Sequence, residues 1–143
     1  MMQAVLDTNV VLAGKRSRAV TSPNAEILRR WGQREFEWLF TDDILEEYTE
    51  KLLEHGTEAA EVAQFIFELE SLGQRVTIRF FHLRHYPCDP DDTAFLLAAL
   101  NGQATHLVTY DDDLENAGVF YTEFVTCRPL VFLEALRAAP ASP

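Results

Sequence analysis

The sequence predicts an α/β protein in which a central parallel sheet of four to five strands lies between two layers of helices. Short apolar runs that suit buried strands alternate along the chain with longer segments whose apolar residues recur at helical spacing. Helix-start signals, a capping residue followed by proline, occur at Ser22-Pro23 and Asp89-Pro90. Strands that alternate with helices are typical of a parallel sheet covered on both faces.

The composition indicates one domain, at residues 1–138, followed by a short flexible tail at 139–143. The chain has 143 residues, of which 48% are hydrophobic, and this is enough for an adequate core. Its apolar runs are too short to cross a membrane, and the N-terminus lacks the features of a signal peptide. Cys88 and Cys127 have no metal-type spacing. We therefore expect a cytoplasmic protein that does not bind a membrane.

The predicted elements follow one another from the N-terminus with few long gaps. The strands are predicted at 3–6, 35–40, 75–80, 106–109 and 121–126. The helices are predicted at 23–33, 42–55, 58–72, 90–100 and 130–138, with a turn or short helix near 8–13. The helix at 90–100 is apolar nearly all round, so we expect it to be central.

The charge of the chain is unevenly distributed. A net charge of −11 argues, taken globally, against a nucleic-acid binder. Residues 89–115 contain acids but no Lys or Arg, whereas 75–88 contain Arg and no acid, and 14–30 are mainly basic. These blocks fit either a solvated surface or an acidic metal pocket flanked by phosphate-binding basic loops.

Carboxylates recur at four places that the predicted fold would bring to one edge of the sheet. They are Asp7 after the first strand, Glu46 and Glu47 in the helix after the second, Asp91 and Asp92 at the start of the central helix, and Asp111 and Asp113 after the fourth strand. Each has a structural explanation, such as a helix-dipole partner or a solvated face, although Asp7 has apolar flanks that make it expensive to leave unpaired. Gathered carboxylates repel one another, and a hard divalent cation, Mg²⁺ or Mn²⁺, removes that repulsion.

The order and spacing of these acids resemble the PIN domain, a family of metal-dependent ribonucleases, over nearly the whole chain. The likeness is greatest to the VapC-like branch, described as toxin components of toxin–antitoxin systems. The motifs that carry it are Val-Leu-Asp7-Thr-Asn9-Val-Val, Thr41-Asp-Asp-Ile-Leu-Glu-Glu47-Tyr48, Asp89-Pro-Asp-Asp92-Thr-Ala-Phe-Leu-Leu-Ala-Ala and Leu107-Val-Thr109-Tyr-Asp111-Asp-Asp113-Leu114. The register favours Glu47 over Glu46, because the family acid precedes a large apolar residue, here Tyr48.

The resemblance implies an endoribonuclease that hydrolyses single-stranded or structured RNA with water activated by Mg²⁺ or Mn²⁺. It assigns catalysis and metal binding to Asp7, Glu47, Asp92 and Asp111, an outer or second-metal position to Asp113, and the orientation of ligands or water to Asn9 and Thr109. Lys15, Arg16 and Arg18 follow the first strand and are candidates to hold the RNA backbone, with Arg84 and His85 as weaker ones. The implied partners are RNA, an antitoxin protein and a second copy of the chain.

Other functions are compatible with parts of the pattern. A haloacid-dehalogenase-type phosphatase also begins with a strand and an aspartate, but it needs a second Asp where this chain has Asn9. A PIN-like module with weak or no activity, acting as a protein or RNA-binding partner, would suit the acidic net charge. Tyr110 stands where a small residue is common in the family, so we expect it to narrow the pocket.

Overall fold

A five-stranded, wholly parallel sheet forms the centre of the computed structural model, which describes residues 1–17 and 21–140. The strands are β1 (Gln3–Leu6), β2 (Glu37–Phe40), β3 (Gln74–Arg75), β4 (His106–Val108) and β5 (Val125–Cys127), in the spatial order β3-β2-β1-β4-β5. Helices flank the sheet, which confirms the predicted three-layer α/β/α class.

Seven helices connect or follow the strands in the described part of the chain. They are α1 (Thr8–Arg16), α2 (Pro23–Gly32), α3 (Asp42–Glu54), α4 (Ala59–Leu72), α5 (Thr93–Asn101), α6 (Asp112–Gly118) and α7 (Pro129–Ala138), and a 3₁₀ turn at Pro90–Asp92 precedes α5. The two hydroxyl caps form as expected: Ser22 Oγ accepts from the Ala25 N–H, and Thr41 Oγ1 accepts from the Ile44 N–H. Within the described residues, no helix has the length and apolar character needed to span a bilayer.

The third strand is much shorter than the sequence predicts. Only Gln74–Arg75 pair with β2, and the prediction of a strand over 76–80 is wrong. The Asn101 Oδ1 at the end of α5 accepts hydrogen bonds from the backbone N–H groups of Arg79 and Phe80, at 2.8 and 3.2 Å. The Asn101 side chain, which is distant in sequence, therefore accepts the backbone hydrogen bonds that a neighbouring strand would otherwise accept.

Two helices that begin next to acids differ from the sequence prediction, because α1 is longer than expected and α6 was not predicted. The turn or short helix predicted near 8–13 is a helix from Thr8 to Arg16, and Asp7 caps it by accepting from the Thr8 N–H at 2.8 Å. The acidic run after β4 begins α6, because Asp111 Oδ1 accepts from the backbone N–H groups of Asp113 and Leu114. Both aspartates thus join the end of a strand to the start of a helix.

Tyr48 fastens α3 to the carboxyl end of β1. Its side chain is fully buried, its hydroxyl donates to the Leu6 carbonyl, and the same hydroxyl accepts from Trp38 Nε1 at 3.3 Å. Trp38 in turn packs edge-on against Trp31, with ring centroids 4.9 Å apart. This buried contact fixes the neighbouring Glu47 close to the start of α1.

The sheet order reverses between β1 and β4, and this is the point at which ligands bind in open α/β sheets. The two strands remain paired to their ends, since the Asp7 N–H donates to the Val108 carbonyl at 2.8 Å. The loops that leave β1 and β4 diverge from there. The residues just beyond these strands therefore border a natural crevice.

Candidate active site

A cleft of about 270 Å³ opens at the carboxyl ends of β1 and β4. Its walls come from Asp7, Thr8, Asn9, Leu12, Glu47, Lys51, His55, Asp89, Asp91, Asp92 and Asp111. The four acids predicted to act together thus face one cleft, although each belongs to a different part of the chain. Their roles in catalysis and metal binding remain predictions.

Asp7 is buried and held from both sides. The side chain is only 5% exposed, Oδ1 accepts from the Thr8 N–H, and Oδ2 accepts from the Thr109 hydroxyl at 2.6 Å. Burial raises the pKa of Asp7, the hydrogen bonds from Thr109 and Thr8 lower it, and the charges of Glu47 and Asp111 raise it; the net result is a pKa of about 6. Thr109, itself fully buried, therefore occupies a place from which it orients Asp7.

Asp92 carries the clearest sign of a missing partner. Its side chain is 6% exposed, and Oδ2 is buried without a hydrogen-bond partner among the described residues. Burial, together with the smaller effects of the charges of Asp111, Asp7, Asp89 and Glu47, raises the pKa of Asp92 to about 7. A buried, unpaired carboxylate oxygen is costly, and a cation in the cleft would satisfy it.

Glu47, and not Glu46, faces the cleft. Glu47 is half-buried, and its carboxylate accepts a hydrogen bond from the Thr8 hydroxyl. Glu46 is exposed and does not line the cleft. This placement agrees with the register that Tyr48 suggests. Successive side chains on a helix point about 100° apart, so Glu46 lies nearly opposite the buried Tyr48, whereas Glu47 lies beside it.

The remaining predicted site residues differ in whether they line the cleft. Asn9 lines the cleft and is exposed, so its amide is accessible to a ligand. Asp113 is exposed on the first turn of α6 and does not line the cleft. Tyr110 does not narrow the cleft, contrary to expectation, since its hydroxyl accepts from Asn24 Nδ2 of α2 at 2.7 Å.

The chemistry of the cleft acids suits a hard divalent cation better than the arrangement of their side chains does. No three His, Cys, Asp or Glu side chains of the described residues already converge as a metal-binding group. Hydrogen bonds from Thr8 and Thr109 occupy part of the Glu47 and Asp7 carboxylates, and the charges of Asp111, Asp7 and Glu47 raise the pKa of Asp92. An oxygen-only set of carboxylates with one unpaired buried oxygen nevertheless suits Mg²⁺ or Mn²⁺.

The basic residues predicted to hold RNA do not form a wall of this cleft. Lys15 Nζ lies 4.6 Å from the centroid of the Phe65 ring, in a separate groove against α4. Arg16 is exposed at the end of α1, and Arg18 lies outside the described residues. Arg84 pairs with Glu123 at 2.7 Å. These contacts leave the proposed RNA-binding roles without direct structural support.

Sequence reasoning missed Lys51 and His55, which both line the cleft. The available signal was their spacing: Lys51 comes four residues after Glu47 on the same face of α3, and His55 comes four residues later, at the C-cap of that helix.

A family model provides an independent comparison. The model of the PIN domain matches residues 3–113, which is most of the chain and includes all four cleft acids named above. The chain belongs to the PIN domain family. PIN domains are typically nucleases and generally use divalent metals. No curated protein matches this PIN domain.

The burial of Asp7 makes the stability of the metal-free PIN domain depend on pH. Because the pKa of Asp7 is higher in the folded than in the unfolded state, the folded protein binds the proton of this carboxyl more tightly. The resulting contribution to the free energy of unfolding is complete near pH 4 and is lost as the pH rises through about 6. Asp7→Asn should therefore stabilise the metal-free protein more at pH 8 than at pH 5, by roughly 1–3 kcal/mol. Urea unfolding in EDTA at both pH values measures this difference.

The matched control for that measurement is Glu46→Gln, which removes an exposed carboxylate. Its effect on the free energy of unfolding should be small at both pH values. An equal effect of Asp7→Asn at pH 5 and pH 8 would contradict the raised pKa.

Proposed function

We propose that this PIN domain is a metal-dependent endoribonuclease of the VapC-like branch, which cleaves single-stranded or structured RNA as the toxin of a toxin–antitoxin pair. The observation that supports the chemistry most is the gathering of four carboxylates in one cleft, with a buried Asp92 oxygen that has no protein partner. The RNA substrate, the toxin role, an antitoxin partner and a homodimer follow from the family resemblance, and the proposed cytoplasmic location rests on the cysteine pattern of the sequence.

The proposed metal ligands are the four cleft acids, Asp7, Glu47, Asp92 and Asp111, with Asp113 as an outer or second-metal ligand. When bound there, Mg²⁺ or Mn²⁺ would act as a Lewis acid on the phosphoryl group and lower the pKa of water at the site. The protein's own part is positioning. Thr109 holds one oxygen of Asp7, Thr8 holds Glu47, and Asn9 presents an amide to a phosphate oxygen at the rim.

The cation also resolves the conflict between an acidic cleft and an anionic substrate. Clustered carboxylates repel a phosphodiester, and a net charge of −11 reinforces that repulsion at long range. A divalent ion neutralises part of the negative charge of the cleft and gives the phosphodiester a cation to bind, while the rest of the surface stays acidic. Substrate binding, like catalysis, should therefore require the metal.

A cleavage assay tests the proposal. Purified protein is incubated with a fluorescently labelled single-stranded oligoribonucleotide and Mn²⁺ or Mg²⁺, and the Asp7→Asn variant, purified in parallel, reports contaminating nuclease. We expect internal cleavage by the wild type that EDTA stops and excess Mn²⁺ restores. Cleavage that persists in EDTA, or that is equal in the variant, would contradict the proposal.

A second candidate is a binding module without activity, which the absence of a converged metal-binding group among the described residues favours. The same assay separates the two. The binding module predicts no metal-dependent cleavage at any Mn²⁺ concentration that the folded protein tolerates.

A further inference from the structure

The cleft extends from the acids along one face of α3. Glu47 and Lys51 line it from one side of α3, four residues and therefore about 6 Å of helix rise apart. His55, which also lines the cleft, is the C-cap residue directly after α3 and comes four residues after Lys51. Thr8 and Leu12 of α1 form the facing wall. The acids therefore occupy one end of a groove between α1 and α3.

The cleft lining changes in charge along α3, from the Glu47 carboxylate to the Lys51 ammonium one turn later and then to the His55 imidazole. Among the described residues, Lys51 is the one Lys or Arg of the lining and His55 is the one His. The other acids of the lining come from elsewhere in the fold: Asp7 follows β1, Asp89, Asp91 and Asp92 precede α5, and Asp111 follows β4. A ligand that spans the groove would meet carboxylates first and nitrogen donors next.

Lys51 is available to a ligand. Its Nζ lies 3.3 Å from Glu54 Oε2, but the two side chains are 45% and 61% exposed. An ion pair this exposed is worth little, because water screens it and both side chains lose freedom in forming it. An ammonium group is also a flexible point charge that can leave one anion for another.

We propose that Lys51 and His55 bind consecutive phosphate groups of single-stranded RNA as the strand leaves the acid cluster along α3. This inference rests on the proposed nuclease function, and it assigns the RNA-binding role to Lys51 of α3 and to His55 directly after it, instead of the basic end of α1. A metal ion can neutralise the phosphate at the acids, but the phosphates beyond it need donors from the protein. Besides the Asn9 amide at the rim, Lys51 and His55 are the nitrogen donors that the described lining of the groove provides.

The two lysines of the chain make a matched pair for the test. Lys51→Gln and Lys15→Gln remove the same charge, but Lys15 lies over Phe65 in a different groove. Binding of a labelled single-stranded oligoribonucleotide is measured by fluorescence anisotropy with Ca²⁺, between 50 and 200 mM KCl, and cleavage kinetics are measured with Mn²⁺. His55→Gln is compared with His82→Gln, an exposed histidine outside the cleft lining.

Lys51→Gln should weaken binding and raise KM by roughly five- to tenfold while kcat changes less than twofold. The slope of log K against log salt should fall by about 0.7, the value for one phosphate contact with a single strand. His55→Gln should raise KM in the same way by a smaller factor. Lys15→Gln and His82→Gln should match the wild type in binding and in salt slope.

Glu54→Gln separates phosphate binding from a purely structural role of the Lys51–Glu54 pair. If Lys51 binds RNA, removal of its competing partner should tighten binding; if only the ion pair matters, Glu54→Gln should weaken binding as Lys51→Gln does. That second result, or equal behaviour of Lys51→Gln and Lys15→Gln in a wild-type background that cleaves RNA, would overturn the inference. A wild-type protein that neither binds nor cleaves RNA would instead overturn the proposed function, and this inference with it.

Discussion

Asp7→Asn should reduce metal-dependent RNA cleavage by roughly a thousandfold, since the contribution of a catalytic metal is several kcal/mol and each 1.36 kcal/mol is a factor of ten. The amide removes the negative charge that a cation needs, but its oxygen can still accept from the Thr8 N–H as the carboxylate does. The fold should survive, because the substitution also removes a buried charge that Glu47 and Asp111 oppose. Single-turnover cleavage with Mn²⁺ and a thermal melt at pH 8 in EDTA measure the two effects.

Activity and thermal stability of Asp7→Asn together decide whether Asp7 is a site residue or a structural one. We expect activity to fall and the melting temperature to stay equal or rise. An unfolded variant would show that Asp7 is structural, and it would remove the centre of the site. A folded variant with wild-type activity would show that the cleavage chemistry lies elsewhere.

Glu47→Gln should cost at least a hundredfold in kcat/KM, whereas Glu46→Gln should leave it within about twofold, a difference of roughly 3 kcal/mol in transition-state stabilisation. The two variants carry the same chemical change at adjacent positions of α3. Glu47 faces the cleft and accepts from the Thr8 hydroxyl, while Glu46 is exposed to solvent. Parallel measurements of kcat/KM with Mn²⁺ test the register directly.

A reversed pattern, with Glu46→Gln the inactive variant, would mean that α3 is rotated relative to the arrangement that Tyr48 fixes. Similar losses in both variants would point to the total charge of the helix and not to a particular ligand. Far-UV circular dichroism of both proteins establishes that the helix content is unchanged.

The parts of the fold that depend on local patterns could be predicted from the sequence. Hydroxyl caps at Ser22 and Thr41 are local events, and so is the alternation of apolar runs with amphipathic segments. The strand predicted over 76–80 failed because its outcome depends on Asn101, more than twenty residues away in sequence. Propensity cannot anticipate such a partner.

The gathering of the acids followed from topology, since the carboxyl ends of parallel strands meet at one edge of the sheet. The choice of Glu47 followed from the register of the family motif, in which the acid precedes a large apolar residue, and Tyr48 in that place is fully buried. The basic residues were harder to assign. Lys15 belongs to a basic block and Lys51 to a helix rich in glutamate, so the local composition favoured the residue that lies away from the cleft.

The central claim is that this cleft binds a divalent cation, and calorimetric titration of Mn²⁺ into metal-free protein tests it most directly. We predict a saturable site of millimolar or tighter affinity in the wild type. Asp92→Asn removes the negative charge of the carboxylate whose Oδ2 is buried and unpaired. In this variant the metal site should be lost or at least tenfold weaker. Saturable binding of equal affinity in Asp92→Asn, or no binding by the folded wild type at millimolar Mn²⁺, would contradict the account.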